Sequence, residues 1–208
     1  MLKVGLTGGI ACGKSTVAAM LAVRGANTLQ ADLVAHELTR PGQAVYDEII
    51  RRFGREILNQ NKTINRVRLA EVVFSPERPR IDELNEIVHP AVLAYQQQWL
   101  EDAARREPKS VAVVEAALIL EAGAHNQFDK IVVVTCSPHQ KAERLSQRMG
   151  IPLAEAEAEV VRRSAAQWQD EEKLRYADYV IDSSGTLADT EAQVEKLWCE
   201  LSAMASLR

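Results

Sequence analysis

The chain has 208 residues, of which 47% are hydrophobic, and carries a formal net charge of −4 at pH 7. This composition predicts one compact domain, or a core domain with a helical insertion, and excludes a disordered chain. The mildly acidic balance gives no electrostatic reason to expect a nucleic-acid partner, and no apolar run is long enough to predict a membrane span.

The cysteines bear on the cellular compartment. Cys12, Cys136 and Cys199 are odd in number and widely spaced, which argues against a disulfide framework and against a structural zinc site. We therefore expect a cytoplasmic protein. Both a monomer and a small homo-oligomer remain open.

A phosphate-binding loop follows the first predicted strand, residues 3–7. The segment from Gly8 to Ser15 fits the pattern G-x-x-x-x-G-K-[ST] at every fixed position, and a helix is predicted over residues 15–23. Glycines let successive N–H groups turn toward a polyphosphate, and the helix adds the positive end of its dipole. The pattern predicts ATP or another nucleoside triphosphate with Mg²⁺, with Lys14 on the β- and γ-phosphates and Ser15 on the metal. The expected nucleotide contacts are Gly9, Ile10, Ala11, Cys12, Gly13, Lys14, Ser15 and Thr16.

A second strand is predicted over residues 26–30, and Asp32 follows it directly. A carboxylate there is a candidate to accept the proton of the acceptor hydroxyl, or to share in the metal site. The alternative is that Asp32 caps the following helix, and the two roles are compatible.

About eighty residues without a convincing strand come next. Helices are predicted over residues 43–53, 66–74 and 79–104, with breaks at Ser75-Pro76 and at His89-Pro90. We interpret residues 36–105 as an insertion that binds the phosphoryl acceptor. His89 alone, without partners, is more typical of a capping or packing residue than of a catalyst.

Three further strands, over residues 110–115, 130–135 and 178–181, alternate with helical stretches. Near-continuous apolar strands of this kind indicate a parallel sheet covered on both faces. The prediction is a P-loop NTPase fold: three α/β/α layers around a five-stranded, mostly parallel sheet. Residues 1–35 and 106–208 would form this core, with a mobile lid at about 140–176.

Charged side chains near the ends of these elements are candidates for the chemistry of the loop. Glu115 ends the third strand, a position where P-loop enzymes commonly carry the acid that binds magnesium. The alternative is that Glu115 is a strand-end glutamate exposed to solvent. Arg144 and Arg148 share one helix face, and Arg163 lies in the predicted lid. These arginines are candidates to close on the phosphates, although helix arginines are commonly surface residues. Asp182-Ser183-Ser184-Gly185 matches a GTPase pattern literally, but its position after the last strand favours a turn.

Taken together, the motifs resemble the dephospho-CoA kinase family over nearly the whole chain. The family enzymes phosphorylate the ribose 3′-hydroxyl of dephospho-CoA with ATP, the last step of coenzyme A synthesis. The resemblance rests on the loop with Thr16-Val17, on Ala31-Asp32, Arg66-Val67-Arg68-Leu69, His89-Pro90-Ala91-Val92, Leu118-Ile119-Leu120-Glu121, Arg144-Leu145, Arg163 with Gln167 and Lys173, and on Ala177-Asp178-Tyr179-Val180-Ile181-Asp182.

The resemblance also implies roles for individual residues. Asp32 would be the base near the acceptor hydroxyl, Arg144 would contact the ATP phosphates, and Ser184-Gly185 would lie near the adenine. The metal ligands would be Ser15, Asp32 and Glu115. Which of the two acids contributes more to metal binding is left open. Acceptor contacts would come from Asp32, Arg66, His89, Leu118, Glu121 and Arg163.

Three positions depart from the family pattern. Ala117 and Leu120 stand where the family usually has proline and phenylalanine, and Ser183 replaces an asparagine, which weakens the expected adenine contact. Two other functions remain open: a kinase for another small molecule or nucleotide, and a nucleotide-dependent switch without a small acceptor. Cys12 has no assigned role inside the loop.

Overall fold

The computed structural model describes residues 1–165 and 167–208. Internal contacts divide the chain into two compact units. We call Met1–Gln30 with Leu100–Arg208 the sheet unit, and Ala31–Trp99 the helical unit. The assignment of residues 36–105 as an acceptor-binding insertion stays a prediction.

The sheet unit contains five strands, and every pair of neighbours is parallel. Their order across the sheet is β2-β3-β1-β4-β5, so the strand that leads into the phosphate loop is central. All five strands predicted from the sequence are present, and no strand end differs from its predicted position by more than one residue. They are β1 Leu2–Gly8, β2 Asn27–Gln30, β3 Val111–Glu115, β4 Lys130–Thr135 and β5 Tyr179–Asp182.

The side chains of β4 show why its sequence is apolar at successive positions. Val132 and Val134 belong to the same buried cluster as residues of α1 (Lys14–Val23) and α9 (Leu187–Ser206). Ile131 and Val133 point to the opposite face and pack in a second cluster. Because alternate strand residues face opposite ways, a strand covered on both faces needs apolar side chains throughout. The three-layer fold predicted from the sequence is confirmed.

Three helices follow β4 in the sheet unit: α6 Pro138–Met149, α7 Leu153–Ser164 and α8 Asp170–Leu174. The Ser137 side chain caps α6 by accepting from the Gln140 N–H, and Gly150 ends it in the left-handed conformation. The lid predicted over residues 140–176 includes residue 166, which lies outside the described residues. Motion of this region stays a prediction.

The helical unit contains α2 Ala31–Leu38, α3 Ala44–Phe53, α4 Arg66–Val73 and the first part of α5 Ile81–Arg106. It has its own apolar core, in which Ile49, Phe53 and Val73 are buried. Asn65 caps α4 by accepting from the N–H groups of Val67 and Arg68. The helical unit is therefore held together by an apolar core of its own, separate from the core of the sheet unit.

The helix break predicted at His89-Pro90 is wrong. α5 is continuous from Ile81 to Arg106 with Pro90 in its interior. Proline removes one backbone donor and crowds the preceding turn, but Ile87, Val88 and Ala91, on both sides of it, pack against the core of the helical unit. Their burial holds the two halves of the helix together across the missing hydrogen bond. Within the described residues, no helix combines the length and apolarity needed to cross a membrane.

Candidate active site

The backbone of the phosphate loop explains its glycines. A Cβ atom on Gly8 would lie 2.1 Å from the carbonyl oxygen of Val134, so no side chain fits there. Gly13, at the N-cap of α1, has a φ of 81°, in the left-handed region that favours glycine. Ala11 also has a positive φ, 56°, which is uncommon for a residue with a side chain. These turns place successive N–H groups around a concave surface of the kind that binds phosphates.

Lys14 begins α1 and turns back over the loop. Its Nζ donates to the carbonyl oxygens of Gly8, at 3.0 Å, and Gly9, at 2.9 Å. A lysine ammonium held directly above the loop backbone is well placed for the β- and γ-phosphates that such loops cradle. A contact with those phosphates would require Lys14 to exchange the carbonyl oxygens for phosphate oxygens.

Ser15 and Glu115, two of the three predicted metal ligands, lie together. The Ser15 hydroxyl donates to Glu115 Oε1 at 2.6 Å, and Glu115 is buried at the carboxyl end of β3. Among residues 1–165 and 167–208, no three His, Cys, Asp or Glu side chains form a cluster that would hold a metal alone. Mg²⁺ at nucleotide sites needs only one or two protein oxygens with phosphates and water. The Ser15–Glu115 pair fits that requirement.

Arg144 is anchored beside the loop through Ser183. Its guanidinium donates to Ser183 Oγ at 2.9 Å and to the Ser183 carbonyl at 2.6 Å. The Ser183 hydroxyl, which is buried, donates to the Cys12 carbonyl at 2.8 Å. Arg144 Nη1 would also lie 3.7 Å from a Cβ on Gly13. A positive charge is therefore held against the loop by a short chain of hydrogen bonds.

A second cluster of polar groups packs against Gly9 of the same loop. Lys141, on α6, pairs with Asp170, at the start of α8, with 2.6 Å between Nζ and Oδ2. The Cys12 thiol lies beside them, and a hydrogen bond from Cys136 lowers the pKa of Cys12 although burial raises it. Both thiols are free cysteines. The loop thus contacts charged side chains from two helices.

The helical unit contains a cavity of about 860 Å³. Asp32 lines it from the first turn of α2, inside the helix and not at its N-cap. His36 follows one turn later on the same face, and Arg66 Nη2 contacts His36 Nδ1. Arg40 adds a further positive charge, and the rest of the lining is mainly apolar. The apolar residues include Ile49, Leu69, Val73, Phe74, Ile81, Leu84 and Val88.

Several predicted site residues have other surroundings. Glu121 forms an ion pair with the fully buried Lys173, at 2.9 Å, and accepts from the Trp168 N–H. Arg163 pairs with Glu159 on its own helix. Ser184 Oγ accepts from the Ser137 N–H, and its neighbour is Gly185. Arg148, His89 and Leu118 are exposed. Binding roles for these residues stay predictions.

The sequence interpretation gave no role to Lys141, Asp170 or His36, and it took Ser183 as part of a turn and as a substitution that weakens the adenine contact. Two of these carried a signal. His36 lies four residues after Asp32, and Lys141 lies three before Arg144, so each shares a helix face with a predicted catalytic residue. No sequence pattern pointed to Asp170, because its contact with Lys141 depends on how α8 packs.

Comparisons with known proteins agree on one family. A family model described as dephospho-CoA kinase matches residues 2–189. The dephospho-CoA kinase of Geobacter metallireducens is 43% identical over 201 residues, which cover 96% of each chain. The solved structure of the dephospho-CoA kinase from Campylobacter jejuni is 26% identical, with a TM-score of 0.69, and covers 97% of this chain and 98% of that one. A structure from Thermus thermophilus has a TM-score of 0.76 at 29% identity, over 96% of this chain and 97% of that one.

Proposed function

We propose a division of labour for the residues of this chain, which belongs to the dephospho-CoA kinase family. The enzyme transfers the γ-phosphoryl group of ATP to the 3′-hydroxyl of dephospho-CoA, giving coenzyme A and ADP. The loop of the sheet unit holds the donor, and the cavity of the helical unit holds the acceptor. In the transfer, the acceptor oxygen bonds to the γ-phosphorus, and the bond from that phosphorus to the bridging oxygen breaks.

On the donor side, the loop N–H groups and Lys14 bind the triphosphate. Phosphoryl transfer asks the protein mainly for positioning and for neutralisation of charge on the phosphoryl oxygens. Lys14 neutralises the β- and γ-oxygens after it leaves the carbonyls of Gly8 and Gly9. Arg144 contributes a second positive charge beside Gly13, where Ser183 fixes its orientation.

The observation that carries the acceptor assignment is the composition of the cavity in the helical unit. Its volume of about 860 Å³ is in the range of small-molecule sites. Arg40 and Arg66 supply guanidinium groups for the diphosphate of dephospho-CoA, since arginine pairs well with phosphate. The apolar lining accepts the pantetheine arm. Asp32 is then the carboxylate in the cavity that takes the proton of the 3′-hydroxyl as its oxygen attacks.

Ser15 and Glu115 would hold Mg²⁺ together with phosphate oxygens and water. When bound, the ion offsets the negative charge shared by the β- and γ-phosphates. Asp32 is a further candidate ligand. We also propose a cytoplasmic location, because Cys12, Cys136 and Cys199 are all free thiols.

A coupled assay of ADP release tests the function directly. We expect turnover with ATP and dephospho-CoA, and little with AMP, adenosine, shikimate or gluconate at equal concentration. The absence of turnover with dephospho-CoA, or faster turnover with one of the other acceptors, would contradict the proposal. Slow ATP hydrolysis that dephospho-CoA leaves unchanged would indicate a nucleotide switch.

A further inference from the structure

The Lys141–Asp170 ion pair lies directly against the phosphate loop. A Cβ atom on Gly9 would lie 3.0 Å from Lys141 Nζ and 3.2 Å from Asp170 Oδ1. Gly9 also offers its carbonyl to Lys14 at 2.9 Å. Two lysines therefore lie close to one loop residue, and only Lys14 belongs to the loop motif.

Lys141 is unusually buried for a lysine. Only 9% of the residue is exposed, and its pair with Asp170 is 2.6 Å long. Burial lowers the pKa of Lys141, but the hydrogen bond to Asp170 and the charges of Asp170, Cys12 and Cys136 together raise it by more, so the side chain keeps its charge. Burying an ion pair seldom stabilises a fold more than apolar residues of similar size would. Stability alone therefore does not account for a charged lysine at this position.

The Lys141 and Asp170 charges lie close enough to the loop to change how strongly it attracts the phosphates of the nucleotide. In such loops the N–H groups contact the phosphates, so a group next to Gly9 lies within the roughly 10 Å over which charges interact at 0.1 M salt. Partial burial reduces the screening further. The two partners act with opposite sign: Lys141 attracts the triphosphate, and Asp170 cancels part of that attraction.

We propose that Lys141 is a positioning residue for the nucleotide: it supports the phosphate loop with positive charge behind Gly9, and Asp170 sets how much of that charge the phosphates experience. The proposal rests on the proposed function only in that the loop binds ATP. It makes the affinity for ATP depend on α6 and α8, which lie far from the loop in the sequence.

The proposal predicts effects of opposite sign for the two partners. Lys141→Met leaves the Asp170 carboxylate uncompensated, and we expect the dissociation constant for ATP to rise about tenfold. Asp170→Asn leaves the positive charge, and we expect ATP to bind at least as tightly as to the unmodified protein. The double variant Lys141→Met/Asp170→Asn removes both charges, and its affinity should return to within about twofold of the original. Lys141→Arg should retain the affinity.

The measurement is equilibrium titration of the full-length protein with ATP and no acceptor, at low and at high salt. Lys130→Met is the matched control, because Lys130 forms an ion pair with Asp178, at 2.8 Å, at the start of β4 and away from the loop. We expect no change in ATP affinity for that variant. The loss in Lys141→Met should shrink at high salt.

If the Lys141–Asp170 pair only stabilises the packing of α6 and α8, the ATP affinities of the variants follow a different pattern. Asp170→Asn would then weaken ATP binding as Lys141→Met does, and the double variant would be no better than either. That result would overturn the proposal, and thermal unfolding of all variants identifies any that fail to fold. Because dephospho-CoA is absent, a failed acceptor assignment leaves this test intact.

Discussion

At the residue scale, the proposed function assigns Lys14 and Asp32 to different partners of the transfer. Lys14 lies over the loop that binds the donor, and Asp32 lines the cavity assigned to the acceptor. Substitution of each residue therefore affects a different kinetic quantity. Binding of ATP and the chemical step can be separated by measuring both.

We expect Asp32→Asn to lower kcat by about two orders of magnitude or more, because general-base catalysis is worth roughly 10²–10⁴ in rate. The affinity for ATP should stay nearly unchanged, since asparagine has a similar shape and Asp32 acts on the acceptor. Steady-state kinetics and ATP titration check both. Asp47→Asn, in the first turn of α3 of the same unit, is the control. A variant that keeps most of its activity would leave Asp32 with a structural role.

For Lys14→Ala we expect loss of both ATP binding and turnover. In the proposed role, the ammonium group contacts the phosphates in the ground state as well as in the transition state, so its removal should weaken both complexes. Equilibrium titration with ATP, followed by the ADP-release assay, is the appropriate measurement. An ATP affinity equal to that of the original protein would contradict the assignment of the loop.

The residues that could be predicted from the sequence are those within a short motif. The contacts of Lys14 and Ser15 depend on neighbours in the loop and on the end of a recognisable strand. The Lys141–Asp170 pair joins two helices across 29 residues of chain. Its existence depends on the packing of α8, which no local pattern specifies.

At the scale of elements, the strands were the easiest to predict and α5 the hardest. A buried parallel strand has a short apolar run that differs from every helical pattern in this chain. The interior of α5 contains Pro90, and the local rule for proline predicted a break. Packing of the helix against the core of its unit overrode that rule, and such tertiary contacts are not visible in a local window.

The five-residue helix α8 depends on ion pairs at both ends. A helix this short is not stable alone, and Lys173 near its end pairs with Glu121 in a fully buried position. Glu121→Ala leaves that lysine charge without its partner, and we expect a loss of about 3 kcal/mol in the free energy of unfolding. Urea unfolding measures this loss.

The same variant tests the binding role predicted for Glu121. If the Glu121 carboxylate only stabilises α8, the KM for dephospho-CoA stays near its original value. The KM is measured under conditions well below the unfolding transition. A large rise in that KM with unchanged stability would favour direct contact with the acceptor. Glu143→Ala, on exposed α6 surface, is a control for the substitution itself.

At the scale of the whole molecule, the chain consists of two units with separate cores. Each unit carries one half of the proposed chemistry: the phosphate loop in one, the Asp32 cavity in the other. Ligand binding stabilises the part of a protein that it contacts. The two substrates should therefore stabilise different parts of the chain.

Hydrogen exchange of the intact enzyme tests this division. We expect a non-hydrolysable ATP analogue to slow exchange in the loop at residues 8–16, and dephospho-CoA alone to slow it in α2 and α4. α9 serves as an internal control for general stabilisation. Protection of the loop by dephospho-CoA alone, without effect on α2 and α4, would contradict the assignment of the cavity.

The strand order has a consequence for how the enzyme is made. Within the described part of the chain, the partners of β1 are β3 and β4, where Leu2 lies opposite Val111 and Val4 opposite Lys130. On the ribosome, the strand that carries the nucleotide loop emerges before both of its partners and has none until β3 has been translated. During that interval its apolar side chains are exposed to aggregation and to chaperones. ATP therefore cannot assist the earliest stage of folding, because the strand that leads into its loop has no partner at that stage.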